Sequence, residues 1–214
     1  MITLGGPHGA KINTPKILVV GIAGRMKSGK NQFADYVKEI IEERKAKGYF
    51  STYDVKIYAF ADPLKECLIR TFGIRKDALY TQEGKASMNY RWSMTHREIL
   101  QKFGTNAVRK HLHPDAWVFA MEEYLDSLEK DTIVIIPDVR FENEANLCNS
   151  YGWVVKVERP SIVSFWTKLR EKLGLVHPSE KPLSSKHFIQ IIKNDGTLSQ
   201  LRAKASLFVS WLSH

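Results

Sequence analysis

Apolar residues fall along this chain in short blocks, set between segments whose apolar positions recur every three or four residues. The first block, residues 17–22 (ILVVGI), is a continuous apolar run, the pattern of a strand buried on both faces. Residues 31–47 follow with Phe33, Tyr36, Val37, Ile40 and Ile41 at helical spacing, which predicts an amphipathic helix. A second strand at 55–61 leads into Asp62-Pro63, where proline suits the first turn of a helix running to about residue 72. Helices at 95–110 and 115–128 precede the apolar strand 132–136, which Pro137-Asp138 ends. A helix at 142–150, strands at 153–157 and 188–192 and a closing helix at 198–212 complete the series.

Five short apolar strands separated by helices predict an α/β fold with a parallel sheet covered on both faces. Right-handed crossovers make it a doubly wound, three-layer α/β/α sandwich. Three segments stand apart from that pattern. Residues 1–15 are rich in glycine, proline and polar residues and are expected to form a flexible leader. Residues 73–89 are polar and poorly periodic, which predicts a mobile surface loop. After Arg159-Pro160 comes a basic stretch that does not pattern as core.

With 214 residues the chain is long enough for one sizeable core, so a single domain over 16–214 is expected. A formal charge of +9 favours anionic partners: nucleotides, nucleic acid or a membrane surface. No run of eighteen apolar residues exists, and 1–15 lacks the apolar block of a signal peptide, so a cytoplasmic protein with no membrane partner is expected. Cys67 and Cys148 lie far apart without C-x-x-C spacing, which supports neither a disulfide framework nor a zinc site, and both are expected as buried thiols. Trp92, Trp117, Trp153, Trp166 and Trp211 are mostly core candidates, with Trp117 also placed to line a base pocket.

The chemistry begins where the first strand ends. Gly24 and Gly29 bracket four residues and Lys30 follows, giving G-x-x-x-x-G-K between a strand and a helix. In such a loop consecutive backbone N–H groups form an anion nest, the next helix adds about half a positive charge, and the lysine reaches the β- and γ-phosphates. At the following position a hydroxyl usually binds Mg2+; here Asn31 either ligates the metal or its water, or caps the helix. In parallel sheets ligands collect beyond the carboxyl ends of strands, which here also deliver Asp62 with Lys65, Asp138 with Arg140, and Arg159. Asp138, after TIVIIP, is placed to hold Mg2+ or its water shell, or to cap a helix. Arg140 is placed to steady the transferred phosphoryl group or to fork onto an acceptor phosphate, with a surface ion pair as the alternative. The histidines of HLHPD lack further ligands, and no Ser/His/Asp or Cys/His nucleophile set can be assembled.

Taken together, GRMKSGKN, FADPLK, REILQKFGTNAVRKHLHPDAWV, PDVRFENEA, HPSEKPL and IIKNDGTLSQL resemble the bacteriophage deoxynucleoside monophosphate kinases over nearly the whole chain after the leader. The resemblance implies an adenylate-kinase-like P-loop kinase fold with a five-stranded parallel sheet. It implies an inserted monophosphate-binding lobe at about 62–115 and a lid at about 161–180. It implies transfer of the γ-phosphate of ATP to a dNMP with Mg2+, usually by a homodimer, in the host cytoplasm if phage-encoded. Lys27, Ser28, Gly29, Lys30, Asn31 and Gln32 would then face ATP. Met26, Leu64, Lys65, Arg97, Gly104, Thr105, Trp117, Asp138, Arg140 and Glu144 would surround the monophosphate. Lys30, Asp138 and Arg140 would carry the catalysis, and Asn31 and Asp138 the metal. The chain departs from the family at Asn31 and Gln32, where members can have an acid and a hydroxyl, and at Met26, where a lysine can contact the acceptor phosphate. Two other readings compete: another small-molecule P-loop kinase of the phosphomevalonate-kinase type, and a nucleotide-regulated nucleic-acid-binding protein. Against the latter, no DNA- or RNA-reading motif is present.

Overall fold

The computed structural model describes residues 16–160 and 183–213. The expected leader at 1–15 lies outside them, as do the expected lid at 161–180, Trp166 and the basic residues Lys168, Arg170, Lys172 and Lys181. Five strands, β1 (Ile17–Ala23), β2 (Asp54–Ile57), β5 (Thr132–Val139), β6 (Gly152–Glu158) and β7 (Phe188–Lys193), form one parallel sheet in the order β2-β5-β1-β6-β7. The middle strand, β1, is apolar throughout because helices cover both faces of the sheet. On one face Val20, Ile22, Ile133, Ile135, Val155 and Val157 pack against α1 (Lys30–Lys45) and α8 (Leu198–Leu212), through Phe33, Val37, Ile41, Leu201 and Phe208. On the other, Val19, Val134, Ile136 and Val154 meet α6 (Ala116–Asp126) and α7 (Glu142–Tyr151), through Met121, Leu125, Ala145 and Cys148. Among the described residues no helix is long and apolar enough to cross a membrane.

A third apolar cluster, outside the sandwich, joins α2 (Ala61–Phe72), α3 (Lys76–Tyr80) and α5 (His96–Gln101) through Leu64, Leu68, Ile74, Ala78, Leu79 and Ile99. Here the pattern misled in one place. Residues 73–89 are not a loop but hold α3, α4 (Gln82–Ala86) and the start of a short hairpin, β3 (Met88–Asn89) with β4 (Met94–Thr95). These helices have five residues each and bury two side chains and none, too few to leave a period in the sequence. The helix predicted at 95–110 begins at His96 behind a Thr95–Glu98 capping box, then widens into a π-helix (Lys102–Leu112).

Three smaller expectations are corrected. Pro137 and Asp138 do not end β5, which runs on to Val139. Ile135 accepts the N–H of Tyr58 at 3.1 Å, so Pro137, two residues on, turns the N–H it lacks toward an edge where β2 has already ended. Cys148 is buried, but Cys67 is partly exposed on α2. The described tryptophans are likewise only partly covered.

Candidate active site

The turn from β1 into α1 is a cradle of backbone. Gly24 (φ 157°) and Gly29 (φ 92°) make its two bends, and Lys27 between them also has positive φ (64°). A Cβ at Gly24 would fall 2.6 Å from both Ser28 Oγ and Val157 O, and one at Gly29 only 2.3 Å from Asn194 Nδ2. Helix α1 follows Gly29 at its N-cap position, with no side-chain cap and no acid in its first turn, so its first N–H groups remain open to an anion.

Ser28 lies inside this turn. Its N–H donates to Arg25 O at 3.1 Å, its carbonyl accepts from Asn194 Nδ2 at 2.9 Å, and its buried hydroxyl has no hydrogen-bond partner among the described residues. Asn194 is itself buried just past β7, and its backbone N–H donates to Glu158 O. It therefore braces the loop from behind, a role that no local sequence signal marks, because the two residues are 166 apart. Met26, Lys27 and Asn31 are exposed along the rim, with Gln32 half-buried beside them.

Asp138 is fixed across from Lys30. Its Oδ1 accepts the N–H of Phe60 at 2.9 Å and its Oδ2 that of Ala61 at 3.0 Å, so the carboxylate caps α2 rather than the helix that follows it. Lys30 is half-buried, and burial, then Arg140, then Lys85 pull its ammonium down to about 8, with Asp138 opposing. Lys85, on α4, is lowered by burial and by Lys65, Arg97 and Arg140 in turn. Sequence reasoning missed Lys85, since it fell in the segment taken for a loop. Arg97 on α5 donates to Gln82 Oε1 at 3.2 Å and lies 3.7 Å from Met26 Sδ, which ties the helical lobe to the loop.

Other expected site residues have structural partners in hand. Lys65 is paired with Asp62 at 2.7 Å and lies over the Tyr80 ring. Glu144 is buried: Oε1 accepts from Arg109 of the π-helix, and Oε2 from the N–H of Arg140 and of Phe141, closing the start of α7. Burial pushes its carboxyl up to about 7, against the pull of Arg109. Trp117 Nε1 donates to Gly104 O at 3.0 Å, and a Cβ at Gly104 would sit 2.8 Å from Leu64, so these three set how closely the π-helix approaches α2. Thr105 is half-buried next to Gly104, and Arg140 and Arg159 are exposed.

The residues suit a polyphosphate with its own metal. Among the described residues no three His, Cys, Asp or Glu side chains group as a metal centre. Mg2+ commonly needs only one or two protein oxygens beside phosphates and water, and Asp138 and Asn31 carry oxygens of the kind it takes.

A family model described as deoxynucleotide monophosphate kinase matches residues 75–205. A protein of Acanthamoeba polyphaga mimivirus that carries the name deoxynucleotide monophosphate kinase is 30% identical over 198 residues, covering 86% of this chain and 92% of its own. Among solved structures, the APS kinase CysC of Mycobacterium tuberculosis in complex with AMPPNP and APS aligns with TM-score 0.46 at 11% identity, over 94% of this chain and 99% of that one. Shikimate kinase from Aquifex aeolicus aligns with TM-score 0.42 at 11% identity, over 91% and 98%.

Proposed function

The chain belongs to the deoxynucleotide monophosphate kinase family, and from that premise we propose that it moves the γ-phosphate of ATP onto a deoxynucleoside monophosphate, giving the diphosphate and ADP. The observation that carries this reading is the convergence of cations from separate parts of the molecule: Lys30 from the loop, Lys85 and Arg97 from the helical lobe, Arg140 from beyond β5. Their mutual repulsion is a cost that an anion relieves, and phosphate-to-phosphate transfer brings two anions together.

In this mechanism the loop amides and the open first turn of α1 hold the triphosphate, and Lys30 neutralises its reacting end. Asp138 is kept in place by the α2 amides, and Arg140 aligns the acceptor phosphate. The attacking oxygen of a phosphate is already ionised, so no general base is required, and catalysis is positioning plus charge neutralisation. Mg2+ bound with the nucleotide would supply further neutralisation, and Asp138 and Asn31 would hold it or its water. The test is incubation of the protein with Mg-ATP and each common deoxy- and ribonucleoside monophosphate, following diphosphate formation. Turnover of one or more deoxy monophosphates is the expected result; turnover confined to a non-nucleotide acceptor, or none at all, overturns the reading.

A further inference from the structure

Helix α4 buries none of its five residues, yet it is held firmly. Thr81 caps its start through the Gly84 N–H at 2.9 Å, and Ser87 closes its end on the carbonyls of Glu83 and Gly84. Gly84 packs so closely on α3 that a Cβ there would fall 2.3 Å from Asp77 O. Ordering a short polar helix that contributes nothing to a core costs conformational entropy without an apolar return. What the arrangement fixes is the direction of one face.

That face carries Gln82 and Lys85, which lie side by side at a spacing of three. Arg97 joins it to the phosphate loop, donating to Gln82 Oε1 while resting against Met26 Sδ. A thioether is a feeble acceptor, so the guanidinium keeps most of its capacity for an anion. Lys65 differs, because Asp62 and the Tyr80 ring already hold its ammonium. Lys85 is half-buried among Lys65, Arg97 and Arg140, and the acid acting on it, Asp138, has both oxygens engaged by α2 amides.

We propose that Lys85, presented by the α4 face that Arg97 ties to the loop, is a direct ligand of the acceptor's phosphate, a phosphomonoester dianion, and that Lys65 instead serves the fold. This inference rests on the phosphotransfer reading of the site and adds a residue to it. The dianion cancels the repulsion that the cations around Lys85 otherwise carry.

Calorimetric binding of a deoxynucleoside 5′-monophosphate and of its parent deoxynucleoside, together with steady-state kinetics, tests the assignment in wild type, Lys85→Met and Lys85→Arg. Lys85→Met should weaken monophosphate binding and raise its KM roughly 10- to 100-fold, the worth of a charge-assisted hydrogen bond. Nucleoside affinity and the KM for ATP should stay unchanged, and Lys85→Arg should recover most of the loss. If wild type turns over the monophosphate and Lys85→Met binds it equally well, or loses nucleoside and ATP affinity in step, only the Lys85 assignment fails. If wild type neither binds nor phosphorylates any monophosphate, the functional reading itself fails and takes the assignment with it.

Discussion

The phosphate loop and the helical lobe both reach Asp138, yet they are built on opposite principles. In the loop the working groups are backbone, and their geometry is secured by packing: two glycine bends, an internal bond from Ser28 to Arg25, and Asn194 pressed against the outside. In the lobe the working groups are side chains, and Lys85 and Arg97 are held near one another with little acid between them. A site made of amides is sensitive to added atoms. One made of like charges is sensitive to removed charge, and stores repulsion until an anion arrives.

Lys30 stands where the two designs meet and gives the largest expected effect. Lys30→Met should cut turnover roughly 100- to 1,000-fold, the usual cost of losing one preorganised charge stabiliser. The ligand-free fold should respond in the other direction. Its ammonium is lowered from 10.5 to about 8, so below pH 8 the folded state carries a charge it disfavours. Removing that charge should stabilise the free protein at pH 7 by roughly 3 kcal/mol. Urea unfolding beside kinase assays checks both, and a variant that is both slow and less stable would show that Lys30 supports the fold rather than the ligand.

Arg109 is a cation of the contrasting kind, committed to the fold through Glu144. Arg109→Met should destabilise by roughly 3 kcal/mol, near the low end for a broken buried ion pair. The low end applies because a carboxyl already raised to about 7 sheds part of the penalty by taking up a proton. The loss should accordingly be greater at pH 8 than at pH 6 in parallel urea titrations. Adding Glu144→Gln should recover much of it, since the amide still accepts the Arg140 and Phe141 N–H bonds.

How far the chain could be read without coordinates follows the same division. Strands β1 and β5 and the closing helix were legible because buried parallel strands are continuous apolar runs, and α8 spans the predicted 198–212. The glycines and Lys30 were legible because backbone chemistry fixes residue type at fixed spacing. Lys85 was not, since a polar five-residue helix leaves no period. Nor was the commitment of Asp138 to the amides of Phe60 and Ala61, which are 78 and 77 residues away. Non-local partners decide whether a charged residue serves the fold or a ligand, and a single sequence does not print them.

The division between the two designs should also appear in pH profiles. In the free enzyme Lys30 loses its proton through about pH 8, so kcat/KM for ATP should fall with rising pH beyond that point, approaching about tenfold per unit. Bound triphosphate favours the charged form and raises the pKa, so kcat should hold to higher pH. Lys30→Arg should keep its charge and flatten the alkaline limb. A limb that persists in this variant would place the titration in a group other than Lys30.

The smallest expected effect tests whether the loop is held by packing, as its geometry indicates. Asn194→Ala removes the donor to the buried Ser28 carbonyl and should cost roughly 1–3 kcal/mol. Gly29→Ala alone meets two penalties: a left-handed φ of 92°, and a Cβ 2.3 Å from Asn194 Nδ2. The double variant has already lost the group that the new methyl strikes, so only the backbone term, about 1–2 kcal/mol, remains to be added. The double variant should therefore lose less than the sum of the two single losses, a coupling that a double-mutant cycle in urea reads directly. Additive losses would mean that Asn194 and Gly29 act independently, and that the cradle keeps its shape without the brace behind it.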